Sequence, residues 1–583
     1  MKLRVILCLF IFANVFANAQ ENQGRVQGWG DGEAAQKYVE WIKKAMDEGR
    51  WSEALAAAQR AADFSNVSSD ISYQLALAVT HEGGSRTGVI NALDRALEIN
   101  RWVIYNENQA LLLKARQLTA VRKFVSALAA LDKAEESADS AVIRLLALRG
   151  MAFSGGSARG FDPVVALSRF RSHVLAAMDR YSRDPRPLRV FFEYARNRKS
   201  EPSELTQSDR KLLELALKRL PILLEADSDL AWLAAYFMSD TEQAKRYVST
   251  YRAGGIPSVQ TGDFKPVQAS IPIALNLGLI DDARAIEELF SCEPMDAGVM
   301  NEVYGLLRGE EGRDLFTQKL LSFSGTIISD DDNDGYIDSK SLYKSGVVRE
   351  FAFDITQDNV FDFNISFSAD GVPAVARVPV MGNKTAEIQW ERYPSIKQIK
   401  ISNERFLFRP ADFQYMPVNL VIFGGSKKFA GPKYPVILPQ YAELTRNAIV
   451  SFCSVIQRPS MEFEGATEEL FLEKGIVLRA EETSGGKQIS VTEFERGSPV
   501  IQRLDMDMDG RMETIRRFHR SDSTWSNLDE TFNYRRLIAS SESDWTGQGK
   551  FKTGEVYQKD GSIVYSWDTD GGGEMNYSET DKK

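Results

Sequence analysis

Two short stretches concentrate carboxylates at alternate positions. Residues 505–513 carry Asp505, Asp507, Asp509, Gly510 and Glu513, and residues 330–338 carry Asp330, Asp332, Asp334, Gly335 and Asp338. In both, acids stand at positions 1, 3, 5 and 9 of one frame, with glycine at position 6. Like charges this close repel, and the offset is water, a basic partner or a bound cation. Coordination of a hard cation is the chemistry that uses such a set, since calcium takes about six to eight oxygens at about 2.3–2.6 Å. Alternate residues of a tight loop turn three carboxylates inward, and the glycine permits the sharp turn. The carbonyl of position 7, Tyr336 or Arg511, adds an oxygen, and the acid at position 9 closes the shell. An EF-hand would place a bidentate Glu at position 12, where Ser341 and Arg516 stand, so these are not EF-hands.

Weaker copies follow. Residues 568–576 keep Asp568, Asp570, Gly573 and Asn576, with Gly572 at position 5. Residues 354–362 keep Asp354, Thr356, Asp358 and Asp362, with Asn359 for glycine, and 544–552 keep only the outline. The intervals 354 − 330 = 24 and 568 − 544 = 24 match, which predicts an acidic loop, a hairpin and a second loop as a module used twice. The loops resemble the nine-residue calcium loops between strands of integrin-type propellers. The resemblance is confined to the loops, and it implies Ca2+ as the bound ion and folding linked to metal.

The elements that must position these loops are strands. "FDFNISF" (361–367) puts Phe361, Phe363, Ile365 and Phe367 on one face, the period of a half-buried antiparallel strand. "EVYQKDGSIVYSW" (555–567) places Asp-Gly between two strand-like runs, a hairpin signal. Residues around 386–408 and 418–423 also read as extended.

From Ala34 to about Phe323 the period is helical instead. Gly49, Trp51, Ala54 and Ala61 fall at relative positions 0, 2, 5 and 12, and Gly84, Val89 and Ala96 repeat 0, 5 and 12 at an interval of 84 − 49 = 35 residues. Phe124, Ala127 and Ala134 repeat 2, 5 and 12 counted from Arg122, and Gly278, Ile280 and Ala283 repeat 0, 2 and 5. Small residues let two antiparallel helices approach, the aromatic fills the space beside them, and glycine ends the first helix. These spacings resemble the tetratricopeptide repeat family, clearly over about 35–137 and loosely over 138–322. The usual closing proline is missing, with Asn66 and Arg101 near its place, and Arg122 replaces a glycine. The resemblance implies stacked helical hairpins that bind a protein or peptide partner. Pro185, Pro187 and Pro202 predict a break within 181–204.

The whole chain sets bounds. Its 583 residues suggest about three or four domains at roughly 150 residues each. Hydrophobic residues are 43% and charged residues 26%, an ordinary globular balance. A formal charge of −10 excludes a general affinity for nucleic acid or anionic lipid. Lys2 and Arg4, the apolar run 5–16 and "ANA" (17–19) read as an export signal cut near Ala19/Gln20. Cleavage would take the charge to −10 − 2 = −12 and leave Cys292 and Cys453, as one bridge or as two free thiols. No later apolar run is long enough to span a bilayer. His81, His173 and His519 are isolated, and no nucleophile elbow or phosphate loop is present.

The reading is a multidomain chain, α then β. It has a signal peptide (1–19), tetratricopeptide-like helical hairpins (34–180), further helical hairpins (205–322), and mainly antiparallel β domains at 324–440 and 460–583. The expected function is that of an exported, non-catalytic interaction scaffold in the periplasm or outside the cell. Its helical repeats would hold a protein or peptide partner, and Ca2+ would stabilise its β half. The alternatives are an exported carbohydrate-active hydrolase using β-domain carboxylates, and a structural envelope spacer.

Overall fold

A computed structural model describes residues 31–64, 66–153, 162–197, 205–254, 267–331, 335–354, 360–380, 384–409, 418–421, 436–439, 445–519 and 533–581. The expected export signal lies outside them, as do Asp332, Asp334, Thr356, Asp358 and Pro202. The chain is α then β. Helices run from Asp31–Asp47 to Glu310–Ser322, and strands dominate after Gly325. It packs as two units. The first holds the described residues up to Phe316 together with the acidic segment Ser329–Asp338. The second holds Thr317–Ile328, residues 339–354 and the described residues from Phe361 on.

In the first unit, helices come in pairs joined by short turns, such as Asp31–Asp47 with Trp51–Arg60 and Ser69–His81 with Arg86–Ile99. One helix stop recurs. A residue in the left-handed region ends the first helix at Gly49 (φ 73°), Gly83 (φ 70°), Arg122 (φ 53°) and Gly278 (φ 71°). The next N–H then reaches back five residues: Arg50 to Ala45, Gly84 to Val79, Lys123 to Leu118 and Leu279 to Ala274, at 2.8–2.9 Å. This is the Schellman arrangement, which satisfies carbonyls the helix end would orphan. The turning residue of the second pair is therefore Gly83, not Gly84, and the interval is 83 − 49 = 34.

The expected packing positions Ala54, Ala61, Val89, Ala96 and Ala127 are all buried. Two others are not. Ala283 is exposed and Ala285 is buried in its stead, because the helix starts only at Asp282. Ala134 lies beyond the end of Phe124–Leu131. The expected break falls at 181–185, between Pro163–Arg180 and Arg186–Asn197, and the chain is helical again from Arg186. Pro187 sits in the first turn of Arg186–Asn197, where its missing N–H costs nothing. That helix buries Phe191, Phe192 and Tyr194.

In the second unit, strands from Ser339–Lys344 to Tyr577–Asp581 follow one another as an antiparallel meander, most pairing with their neighbours in sequence. Val418–Val421 and Val436–Pro439 form a separate pair. Glu404–Leu407 pairs directly with Val455–Pro459, so the ladder runs on across 440–460, where the sequence suggested a boundary. Phe363, Ile365 and Phe367 are buried at alternate positions, and the strand begins after Phe361. Tight turns with two consecutive left-handed residues close several hairpins, as at Lys474–Gly475 and Arg496–Gly497. Neither Cys292 nor Cys453 forms a disulfide.

One layer of this sheet is ionic. Glu468 and Glu482 face each other across two strands, both fully buried. Like charges in that register destabilise a sheet unless bridged. Arg535 bridges them, donating from Nη2 to Oε1 of Glu482 (2.5 Å) and of Glu468 (3.3 Å), and from Nε to Glu462 (2.7 Å). Arg458 binds Glu468 and Arg516 binds Glu462, each at 2.7 Å. Three glutamates thus meet three arginines. Arg535→Met should cost about 3–5 kcal/mol in urea unfolding, because it strands a buried carboxylate at Glu482. A loss below about 1 kcal/mol would mean that water reaches this layer.

Candidate metal centre

The acidic frames are nine-residue loops that join paired strand ends. Leu504 pairs with Thr514 around 505–513, Ser543 with Thr553 around 544–552, and Trp567 with Tyr577 around 568–576. Phe353 and Phe363 close 354–362 in the same way. The first three loops lie side by side. The N–H of Asp544 donates to the carbonyl of Glu513 (2.8 Å), and the N–H of Asp568 to that of Lys552 (3.1 Å).

One internal geometry repeats. The position-1 aspartate accepts from the position-6 glycine N–H: Asp330 from Gly335 (2.9 Å), Asp505 from Gly510 (2.8 Å), Asp544 from Gly549 (2.5 Å) and Asp568 from Gly573 (2.9 Å). Each glycine has a positive φ, from 79° to 101°, which L side chains rarely adopt. Position 9 then accepts from the N–H of position 2: Asp338 from Asp331 (2.6 Å), Glu513 from Met506 (2.5 Å) and Asn576 from Thr569 (2.9 Å). Alternating acids therefore encode a hydrogen-bonded loop as well as a charge cluster.

At 505–513 the cluster is complete. Asp505, Asp507, Asp509 and Glu513 each place a carboxylate oxygen so that all lie within 4.8 Å of one another. Asp505 is buried, while Asp507 and Asp509 are exposed. Oε2 of Glu513 is shielded from solvent and accepts no hydrogen bond. Among the described residues no ion pair reaches any of the four. Arg511 turns its guanidinium away, toward Gly547 of the adjacent loop.

The other loops differ. At 568–576, Asp570 accepts from Gly572 N–H (2.8 Å), and Asp568 pairs with Lys552 (2.7 Å). At 330–338, Asp338 pairs with Arg122 at 2.7 Å, both buried, and the Arg122 guanidinium lies over the Tyr336 ring. A side chain on Gly335 would collide with Arg149. The sequence did not signal these partners, because Arg122 lies 216 residues from Asp338. His81 stacks on Trp51 with ring centroids 4.0 Å apart, a packing role.

The hydrogen bond from Lys552, opposed by burial and aided by the Gly573 N–H, holds Asp568 at about 2. Its folded pKa lies below its unfolded value, so its contribution is complete above about pH 4 and fades as pH falls toward 2. Asp568→Asn should therefore lower Tm most at neutral pH, and the gap to wild type should close between about pH 4 and pH 2. A gap that stays constant to pH 2 would show that the carboxylate's charge is not what stabilises this loop.

No protein-family model matches the chain. A Treponema pallidum (strain Nichols) protein, described as an uncharacterized protein, is 22% identical over 650 aligned positions. The alignment covers 90% of this chain and 79% of that protein, so it must reach into both the helical and the β half.

Proposed function

We propose that the chain is a non-catalytic interaction scaffold whose β half is stapled by one divalent cation, Ca2+, at 505–513. The observation that carries the staple is the four-carboxylate cluster within 4.8 Å, with one buried glutamate oxygen that accepts no hydrogen bond. Two unit charges 4.8 Å apart repel by roughly 3–4 kcal/mol at an effective dielectric of about 20. A cation relieves several such pairs at once. Carboxylate and carbonyl oxygens in a loop suit calcium, which accepts irregular oxygen shells. Nitrogen and sulfur donors that would favour zinc are missing from the cluster.

The helical half supports the binding role. Helix pairs with a recurring stop resemble tetratricopeptide repeats, and such arrays hold peptides and proteins. Export rests on the first twenty residues. It would place the chain in periplasmic or extracellular fluid, where calcium reaches millimolar levels and a weak site fills. No helix among the described residues is long and apolar enough to cross a membrane.

Calorimetric titration of the mature chain with CaCl2 tests the staple. We expect one site with Kd of about 10⁻⁴–10⁻³ M. At ten times Kd, stability should rise by about 1.4 kcal/mol. Asp507→Ala should abolish both the heat and the thermal shift. No heat and no shift at 5 mM or so would sink the calcium reading. Cross-linking mass spectrometry in cells tests the partner surface. Partner links should gather on lysines of the repeats, such as Lys37, Lys114 and Lys123. Links confined to residues 445–581 would instead place the binding surface on the β half.

A further inference from the structure

Loop 544–552 keeps the nine-residue frame and Asp544 at position 1 but has no acid at positions 3, 5 and 9. Thr546 and Gln548 hold positions 3 and 5, and Lys550 and Lys552 hold positions 7 and 9. Both lysines point across to loop 568–576. Lys552 Nζ donates to Oδ2 of Asp568 at 2.7 Å. The lysine side chain is 10% exposed and that of the aspartate 0%. A buried ammonium is costly without a charged partner, so this pairing is a fixed part of the loop. Lys550 Nζ donates to the carbonyl of Gly572 at 3.1 Å, and its stem lies where a side chain on Gly573 would go.

The charges are complementary. Loop 568–576 has Gly572 at position 5, where 505–513 has Asp509, and Asn576 at position 9, where 505–513 has Glu513. The loop with fewer carboxylates receives two ammonium groups. The loop with four carboxylates is ion-paired to none of the described residues. An ammonium offers three donors at about 2.7–2.9 Å from carboxylate oxygens, slightly longer than the calcium–oxygen distance. It can hold the same acceptors together.

We propose that Lys552 is the built-in cation of the 568–576 loop: its ammonium holds Asp568 in place of a metal ion, and this loop takes up no divalent cation. The total of one Ca2+ per chain rests on the reading of 505–513 above; the role of Lys552 does not.

The test uses the full mature chain titrated with CaCl2 by calorimetry, with circular dichroism to confirm folding. Asp568→Asn should leave the number of sites unchanged and lower Tm. Lys552→Met should gain one site relative to wild type, and Lys552→Arg should gain none. The proposal is overturned if Asp568→Asn removes a site, or if folded Lys552→Met binds the same number of ions as wild type. If Lys552→Met does not fold, Asp568→Asn decides alone. If wild type and Asp505→Asn both bind nothing while Lys552→Met binds one ion, the 505–513 reading fails and Lys552 keeps its role.

Discussion

Crowded carboxylates need positive charge close by, and much of this chain is arranged around supplying it. Four of the nine-residue loops turn a position-1 aspartate onto backbone N–H groups. That geometry draws the remaining acids together. A repulsion of roughly 3–4 kcal/mol per pair is large against a typical stability of about 5–15 kcal/mol. The loops meet it in different ways. Asp338 has Arg122, Asp568 has Lys552, and the 505–513 cluster has no such partner among the described residues.

Arg122 shows how far the requirement reaches. Its backbone occupies the left-handed position that glycine fills in three comparable helix stops. A non-glycine residue there costs roughly 1–2 kcal/mol. Glycine would remove that strain, but it has no side chain to meet Asp338. The departure from the repeat pattern is therefore a charge placed on an acidic segment of the same unit, with a small backbone strain accepted in return. Arg535 plays the same part within the β unit, where a cross-strand pair of glutamates would otherwise repel in a dry layer.

Local patterns were legible in the sequence and distant partners were not. Helical and strand periods came through because they depend on three or four residues at a time. The nine-residue frames came through because position 1 bonds to position 6, and position 9 to position 2, within one loop. Gly83 and Gly84 were indistinguishable, since two adjacent glycines offer the same freedom and only the hydrogen bond from Gly84 to Val79 separates them. The break within 181–204 was legible at 181–185, whereas Pro187 itself is accommodated in the first turn of the next helix. Arg122, Lys552 and Arg535 could not be assigned to carboxylates by spacing, because tertiary packing sets which loop each one reaches.

The placement of Lys552 follows from where hydrophobic burial runs out. Upstream strands bury alternate side chains, as Phe363, Ile365 and Phe367 do. At the C-terminus, every residue of Ile563–Trp567 is only half-buried and every residue of Tyr577–Asp581 is exposed. A terminal hairpin with so little apolar burial is marginal on its ladder hydrogen bonds alone. Ring contacts help, with Tyr565 stacked on Trp567 at 6.2 Å and Tyr577 tilted against Trp567 at 5.6 Å. The loop that closes this hairpin still has to keep its shape. A metal ion would supply that only when calcium is present, whereas a lysine from the adjacent loop supplies it always. The thinnest part of the sheet is thus closed by a covalently attached charge. The 505–513 loop, whose acids have no such partner among the described residues, lies instead between strands that bury Leu504, Thr514 and Phe518.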